Sequence, residues 1–131
     1  MGVPTQHEMN DVLRKTIVNA EQELGSEEVV KLSQVMRALC IELTDFDSFY
    51  YVSFRPEGKA EFTIESPGLE PILRIATTSE TLHNMCTGTM DPAKAFAMRK
   101  VKLSGIPLMK MRVGANLLDA LFRCYHEVVS V

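Results

Sequence analysis

The sequence predicts an α+β domain in which helices cover one face of a mainly antiparallel sheet. Three observations predict it. Apolar residues recur at helical spacing from Met9 to Leu43. The chain then turns aromatic and β-branched at Phe49 and alternates beyond it. Short helical and strand patterns follow in turn, and a long amphipathic stripe closes the chain. The 131 residues read as a single domain over 1–131, large enough to bury a core.

Thr5-Gln6-His7-Glu8 fits a capping box. Behind it Met9, Val12, Leu13, Ile17, Ala20 and Leu24 share a helical face, and Gly25 ends that helix. Ser26 starts another, with Glu27 and Glu28 near its positive end. Val29, Leu32, Val35, Met36, Leu39, Cys40 and Leu43 continue it as a second stripe, so that residues 1–45 read as an antiparallel helical hairpin. Residues 44–48 are a polar exit.

Residues 49–54 read as a strand, and Arg55-Pro56-Glu57-Gly58 as a turn. In residues 59–66, Ala60, Phe62 and Ile64 alternate with Lys59, Glu61, Thr63 and Glu65, the pattern of a strand with one wet face. Pro67-Gly68 and Pro71 mark a loop, and 72–77 a third strand. Thr78 or Ser79 caps a short helix in which Leu82, Met85 and Cys86 share a face. Gly88 ends it, and Asp91-Pro92 opens another that runs to Met98. Val101 and Leu103 alternate with Lys100, Lys102 and Ser104 in a fourth strand, closed by Gly105. Pro107 opens a C-terminal helix over 107–129, with Leu108, Met111, Ala115, Leu118, Phe122, Tyr125 and Val129 on one face. Gly114 leaves open whether this is one long helix or two shorter ones.

Composition excludes several functions. Hydrophobic residues make up 46% and charged residues 24%, the balance of a globular chain and not of a disordered one. The net charge is −3 without a basic block, which argues against nucleic-acid binding. No apolar run approaches the ~20 residues that cross a bilayer. The N-terminal residues lack the apolar segment of a secretory signal, and Val129-Ser130-Val131 is not a peroxisomal address. Cys40, Cys86 and Cys124 are widely spaced and odd in number, as expected of buried thiols in a reducing cytoplasm.

Signals for catalysis are weak. No histidine among His7, His83 and His126 pairs with another at metal-binding spacing, so no metal or cofactor is expected. His83 stands one turn from Cys86, the spacing of a Cys–His nucleophile, but a small apolar thiol beneath a helix is the better reading. Glu27-Glu28, Asp45/Asp47 and Glu61/Glu65 read as solvated charge. Met85, Met90, Met98, Met109 and Met111 crowd one third of the chain, and flexible methionines suit either an ordinary core or a cavity of adaptable shape.

The run Thr87-Gly88-Thr89-Met90-Asp91-Pro92-Ala93-Lys94-Ala95-Phe96, with Ile75-Ala76-Thr77-Thr78-Ser79-Glu80 before it and Lys102-Leu103-Ser104-Gly105 after it, resembles the signature segment of the sterol carrier protein-2 (SCP-2) family. The resemblance covers residues 49–112. It implies an SCP-2-like sheet of about five strands enclosing an apolar tunnel. It also implies binding of sterols, fatty acids, acyl-CoAs or phospholipids without metal or covalent chemistry. Carried over by position, the cavity walls would come from Phe54, Phe62, Ile64, Ile75, Leu82, Met85, Phe96, Met98, Val101, Leu103, Leu108, Met109 and Met111, with Leu118 and Phe122 closing one end. Lys110 and Arg112 would meet an acidic head group at a mouth. The chain departs from the family pattern at His83, in the short stretch before Ile72 and in its longer, more hydrophobic ending.

The expected function is therefore non-enzymatic binding, with intracellular transfer, of an apolar lipid in a preformed chamber gated by the C-terminal helix, with transient membrane contact. Burying about ten methylenes would supply ~8 kcal/mol, the scale of micromolar affinity. The alternative is a homodimeric interaction module with a filled core, joined through the C-terminal helix.

Overall fold

The computed structural model describes residues 2–69, 72–105 and 112–130. The elements in order are α1 (Gln6–Leu24), α2 (Ser26–Val35), β1 (Ala38–Leu43), β2 (Ser48–Phe54), β3 (Ala60–Thr63), β4 (Ile72–Thr77), α3 (Ser79–Thr87), α4 (Pro92–Ala97), β5 (Lys102–Gly105) and α5 (Arg112–Val129). Helices α1, α3 and α4 begin where side chains satisfy their free amides. Thr5 and Glu8 close the expected capping box on α1, Thr78 accepts from the Thr81 amide at α3, and Asp91 accepts from the Ala93 amide at α4. Gly88 ends α3 at φ +85, a left-handed turn open to glycine.

The five strands form one sheet in the order β3-β2-β1-β4-β5. Three of its pairings are antiparallel, while β1 and β4 run parallel, so the sheet is mixed. Along β1, Leu39, Ile41 and Leu43 face the helices. Ile41 lies between Tyr50 of β2 and Ile75 of β4 in the register. Ala38 and Cys40 face the other way and join Tyr51 and Ile72 in a smaller cluster against which Leu69 packs. The main core thus fills one face of the sheet, under α1, α2, α3 and α5. Across that face α1 packs chiefly along α5.

The first correction to the sequence reading is at β1. The second helix does not run to Leu43; it stops at Val35, and Met36 is already extended at φ −148, ψ 148. Residues 1–45 therefore hold two helices joined at Gly25 and the central strand of the sheet. The last helix is continuous through Gly114. Its buried face includes Leu117, Leu118, Leu121, Cys124, Tyr125 and Val129, whereas Ala115 is exposed, so the helix is turned from its expected orientation. The expected start at 107, with Leu108 and Met111, lies outside the described residues.

Gly105 at the end of β5 shows a backbone requirement rather than a packing preference. Its φ is +96, and a Cβ there would lie 2.2 Å from the Ile72 carbonyl oxygen. Glycine lets β5 close against the first residue of β4.

Candidate functional site

The alternation along the strands and the stripes on the helices leave an apolar hollow between sheet and helices. Its volume is about 40 Å³. Ile41, Ile75 and Leu103 form its floor, and Leu13, Thr16 and Ile17 of α1 form one wall. Leu82, Met85 and Cys86 of α3 and Leu118, Leu121, Phe122 and Tyr125 of α5 form others. Phe96 of α4 and the buried Val101 complete it. Most of these side chains are buried, but Phe96, Leu103 and Phe122 are half-buried and form a rim where the hollow meets the surface.

The polar groups of the lining are turned to partners elsewhere. The Thr16 hydroxyl donates to the Val12 carbonyl at 2.7 Å, one turn back in its own helix. The Tyr125 hydroxyl meets His83 Nδ1 at 2.9 Å. Burial pushes the Cys86 thiol up to about 12, so it stays neutral. The interior surface is in effect hydrocarbon, suited to a ligand without a buried head group.

A second apolar hollow of about 10 Å³ lies farther along the same core, lined by Phe54, Val52, Leu39 and Leu117 among others. Ile17 and Leu121 line both hollows and so form the partition between them.

Eight of the fifteen residues expected to line a cavity surround the larger hollow: Ile75, Leu82, Met85, Phe96, Val101, Leu103, Leu118 and Phe122. Phe54 lies on the smaller one. Phe62 is directed to the outer part of the sheet, stacked on Tyr50 at 6.2 Å and lying under the Arg14 guanidinium at 5.1 Å. Ile64 lies beyond the end of β3 and is 56% exposed. Met98, just past α4, is 60% exposed. Both are corrections: Ile64 lies past the alternation of β3 and Met98 past the last turn of α4, so neither pattern turns its side chain inward. Of the described methionines in that cluster, Met85 lines the hollow and Met98 does not. Leu108, Met109, Lys110 and Met111 lie outside the described residues, and Arg112 is exposed at the start of α5.

The sequence reading omitted Leu13, Thr16, Ile17, Ile41, Cys86, Leu121 and Tyr125 from the lining. Leu13 and Ile17 were already in the first apolar stripe, and Thr16 beside them was the signal that could have been followed.

The hollow as described falls short of the preformed chamber expected from the sequence. About 40 Å³ holds no more than a few waters and is too small for an acyl tail. The Cys–His alternative gains nothing, because a thiol pushed up to about 12 is a poor nucleophile. Among the described residues no three His, Cys, Asp or Glu side chains are grouped to hold a metal ion, and no helix is long and apolar enough to cross a membrane.

Solved structures share this fold at low identity. Sterol carrier protein 2 from Yarrowia lipolytica, in its apo form, is similar at 13% identity and a TM-score of 0.57, covering 96% of this chain and 98% of that one. The sterol carrier protein domain 2 of Helicoverpa armigera is similar at 17% identity and a TM-score of 0.52, covering 88% of each. A stereoselective inverting sec-alkylsulfatase from Pseudomonas sp. is similar at 18% identity and a TM-score of 0.50 over 75% of this chain, which spans only 14% of the enzyme's length. No curated protein matches the chain in sequence. The family model of the SCP-2 sterol transfer family matches residues 15–119, from within α1 to within α5. The chain belongs to the SCP-2 sterol transfer family.

Proposed function

We propose that this domain binds one apolar lipid-like molecule, an acyl chain or a sterol-sized hydrocarbon, between its sheet and α5, and carries it without chemical change. The observation that carries this reading is the hollow's lining: among the described residues, fifteen side chains from both layers of the fold surround it, and the Thr16 and Tyr125 hydroxyls are turned to partners of their own. Family membership supports it. Among the described residues that line this space there is no charged side chain, and the Cys86 thiol is held neutral.

Binding in this reading is coupled to opening. The 40 Å³ hollow is the closed state of the site, and the ligand enters past Phe96, Leu103 and Phe122. Rotation of Ile17 and Leu121 joins the two hollows and extends the space toward Phe54. A closed apo state lowers the observed affinity by its own population, as any site that must open does.

A specific observation favours the filled-core alternative, namely the small volume itself. Its dimer through α5 is less supported, because the helix's apolar face is buried within the monomer and Asn116, Asp119, Arg123, His126 and Glu127 are among the residues on its outside. Titration with a fluorescent fatty acid, with native mass spectrometry of the purified protein, separates the readings. The carrier takes up one ligand per chain, and Leu103→Trp at the rim reduces uptake. A folded wild-type protein that carries no lipid and shows no saturable uptake ends the carrier reading.

A further inference from the structure

Residues 92–105 contain four cations, Lys94, Arg99, Lys100 and Lys102, and no carboxylate, in a chain whose net charge is −3. In sequence they form no block, but the fold gathers them. After α4 the chain reverses at Arg99 and enters β5, which places Arg99, Lys100 and Lys102 together along a surface groove of about 480 Å³. Glu80 is the one carboxylate that lines this groove among the described residues. All four cations are exposed, and none makes an ion pair among the described residues. On the same segment, Phe96, Val101 and Leu103 point into the apolar hollow. One short stretch of chain is thus hydrocarbon inside and cationic outside, at the rim of the site.

Two further details distinguish this face from scattered surface charge. Arg99 has φ +59, a left-handed conformation that glycine adopts freely and an arginine does not. Met98 beside it is a large apolar side chain, 60% exposed, at the tip of the same turn. An exposed apolar residue followed directly by exposed cations matches the chemistry of an anionic bilayer surface, where phosphates attract the charges and the acyl boundary accepts the apolar side chain. A groove for nucleic acid would also want cations but has no use for the methionine.

We propose that the turn from Met98 to Lys102 is a docking face for anionic lipid membranes, set beside the mouth so that the rim opens against the bilayer. This deepens the lipid-binding reading and rests on it for its purpose, though not for its test. The variant Arg99→Gly, Lys100→Gln, Lys102→Gln removes the charge while relieving the left-handed strain at residue 99, so it does not threaten the fold. Sedimentation with phosphatidylcholine vesicles, with and without phosphatidylglycerol, reads the binding. Wild type is expected to sediment with the anionic vesicles only and to be released by salt. The triple variant is expected to partition about a hundredfold more weakly. Its uptake of a fluorescent fatty acid from solution should match wild type. Absence of wild-type binding to anionic vesicles, or binding untouched by the triple variant, overturns the docking face while leaving the carrier reading standing. Equal competition by an RNA or DNA oligonucleotide also overturns it. Vesicle binding that follows the three charges in a protein that takes up no fatty acid supports the face and removes the carrier reading instead.

Discussion

His83 on α3 and Tyr125 on α5 are hydrogen-bonded inside the protein, with Nδ1 and Oη 2.9 Å apart and the rings edge to face at 72°. The pair ties together two helices that wall the hollow and turns the one phenolic hydroxyl of the lining away from it. The chain departs from the family pattern at His83, and the tie to Tyr125 is a physical account of that departure. Tyr125→Phe removes one of the imidazole's partners at a site where His83 is only 6% exposed. The expected cost is about 1–2 kcal/mol in urea unfolding. A double-mutant cycle with His83→Phe should give a coupling of about 1 kcal/mol, because removing both polar groups leaves neither of this pair unsatisfied. Strict additivity would mean that the contact contributes nothing.

Cys86 gives the protein a predictable weakness at high pH. Burial raises its thiol from the ordinary 9.0 to about 12 in the folded state. Above pH 9 the unfolded chain loses this proton and the folded chain does not, so stability falls as pH rises from about 9 to about 12. One such group sets a slope of about 1.4 kcal/mol per pH unit. Cys86→Ala is expected to start from lower stability at neutral pH and to lose less over the alkaline range. An unchanged alkaline slope would show that the thiol ionises as readily folded as unfolded. Alkylation at neutral pH reads the same property: Cys86 should react only as fast as the protein unfolds.

Asp45 turns out to be a tether rather than a solvated loop charge. Its carboxylate accepts from the Ser79 amide at 2.8 Å and from the Ser79 hydroxyl at 2.5 Å, joining the turn after β1 to the first turn of α3. Burial pushes its pKa up, but the two Ser79 hydrogen bonds and nearby backbone amides outweigh that and hold it below the ordinary 3.8. A carboxyl depressed in the folded state stabilises above its unfolded pKa, and the contribution is lost as pH falls through the folded value. Asp45→Asn should cost about 1 kcal/mol at neutral pH, a modest figure because the site is exposed. It should also flatten the stability profile below pH 3.8. A variant with the acid profile of wild type would remove the linkage.

What was legible in the sequence follows from how local each cause is. Thr5, Thr78, Asp91 and Gly88 act within a few residues, and the helix boundaries they predict are those observed. The strand Ser48–Phe54 was legible because aromatic and β-branched residues favour a pleated surface. Ala38–Leu43 was not, because its cause is distant. A central strand buried on both faces shows no polar alternation, and Ala, Leu and Glu are good helix formers. Its conformation is decided by β2 on one side and β4 on the other. The cavity divides the same way. Leu82, Met85, Phe96, Val101 and Leu103 around the signature segment were found, though not Cys86, whereas Leu13, Ile17 and Leu121 line the hollow only because α1 lies along α5, a contact between opposite ends of the chain.

Gly105 is a backbone constraint at the edge of the site. A methyl group there would meet the Ile72 carbonyl oxygen at 2.2 Å, and φ +96 is strained for any other residue. Gly105→Ala should therefore cost at least about 2 kcal/mol and loosen β5 from β4 before the rest of the sheet. Hydrogen exchange would show this as faster exchange in Lys102–Gly105 with β1 and β2 unchanged. A variant as stable as wild type, with β5 equally protected, would contradict the close approach.

Leu118→Ala tests whether the hollow is a closed binding site or merely imperfect packing. Leu118 is buried on α5 and lines the hollow. Truncating it removes burial and leaves space, at an expected cost of about 2–4 kcal/mol without ligand. In a plain core that loss is the whole effect. In a site that must open, the same truncation supplies part of the room that wild type has to create, so ligand binding recovers more stability in the variant. A ligand present at a hundred times its Kd stabilises by about 2.7 kcal/mol. At one fixed concentration of fatty acid, the rise in Tm should therefore be larger for Leu118→Ala than for wild type. If the variant is destabilised as expected but fatty acid raises its Tm no more than wild type's, the added space is not space the ligand uses, and the hollow between sheet and α5 is packing rather than a site.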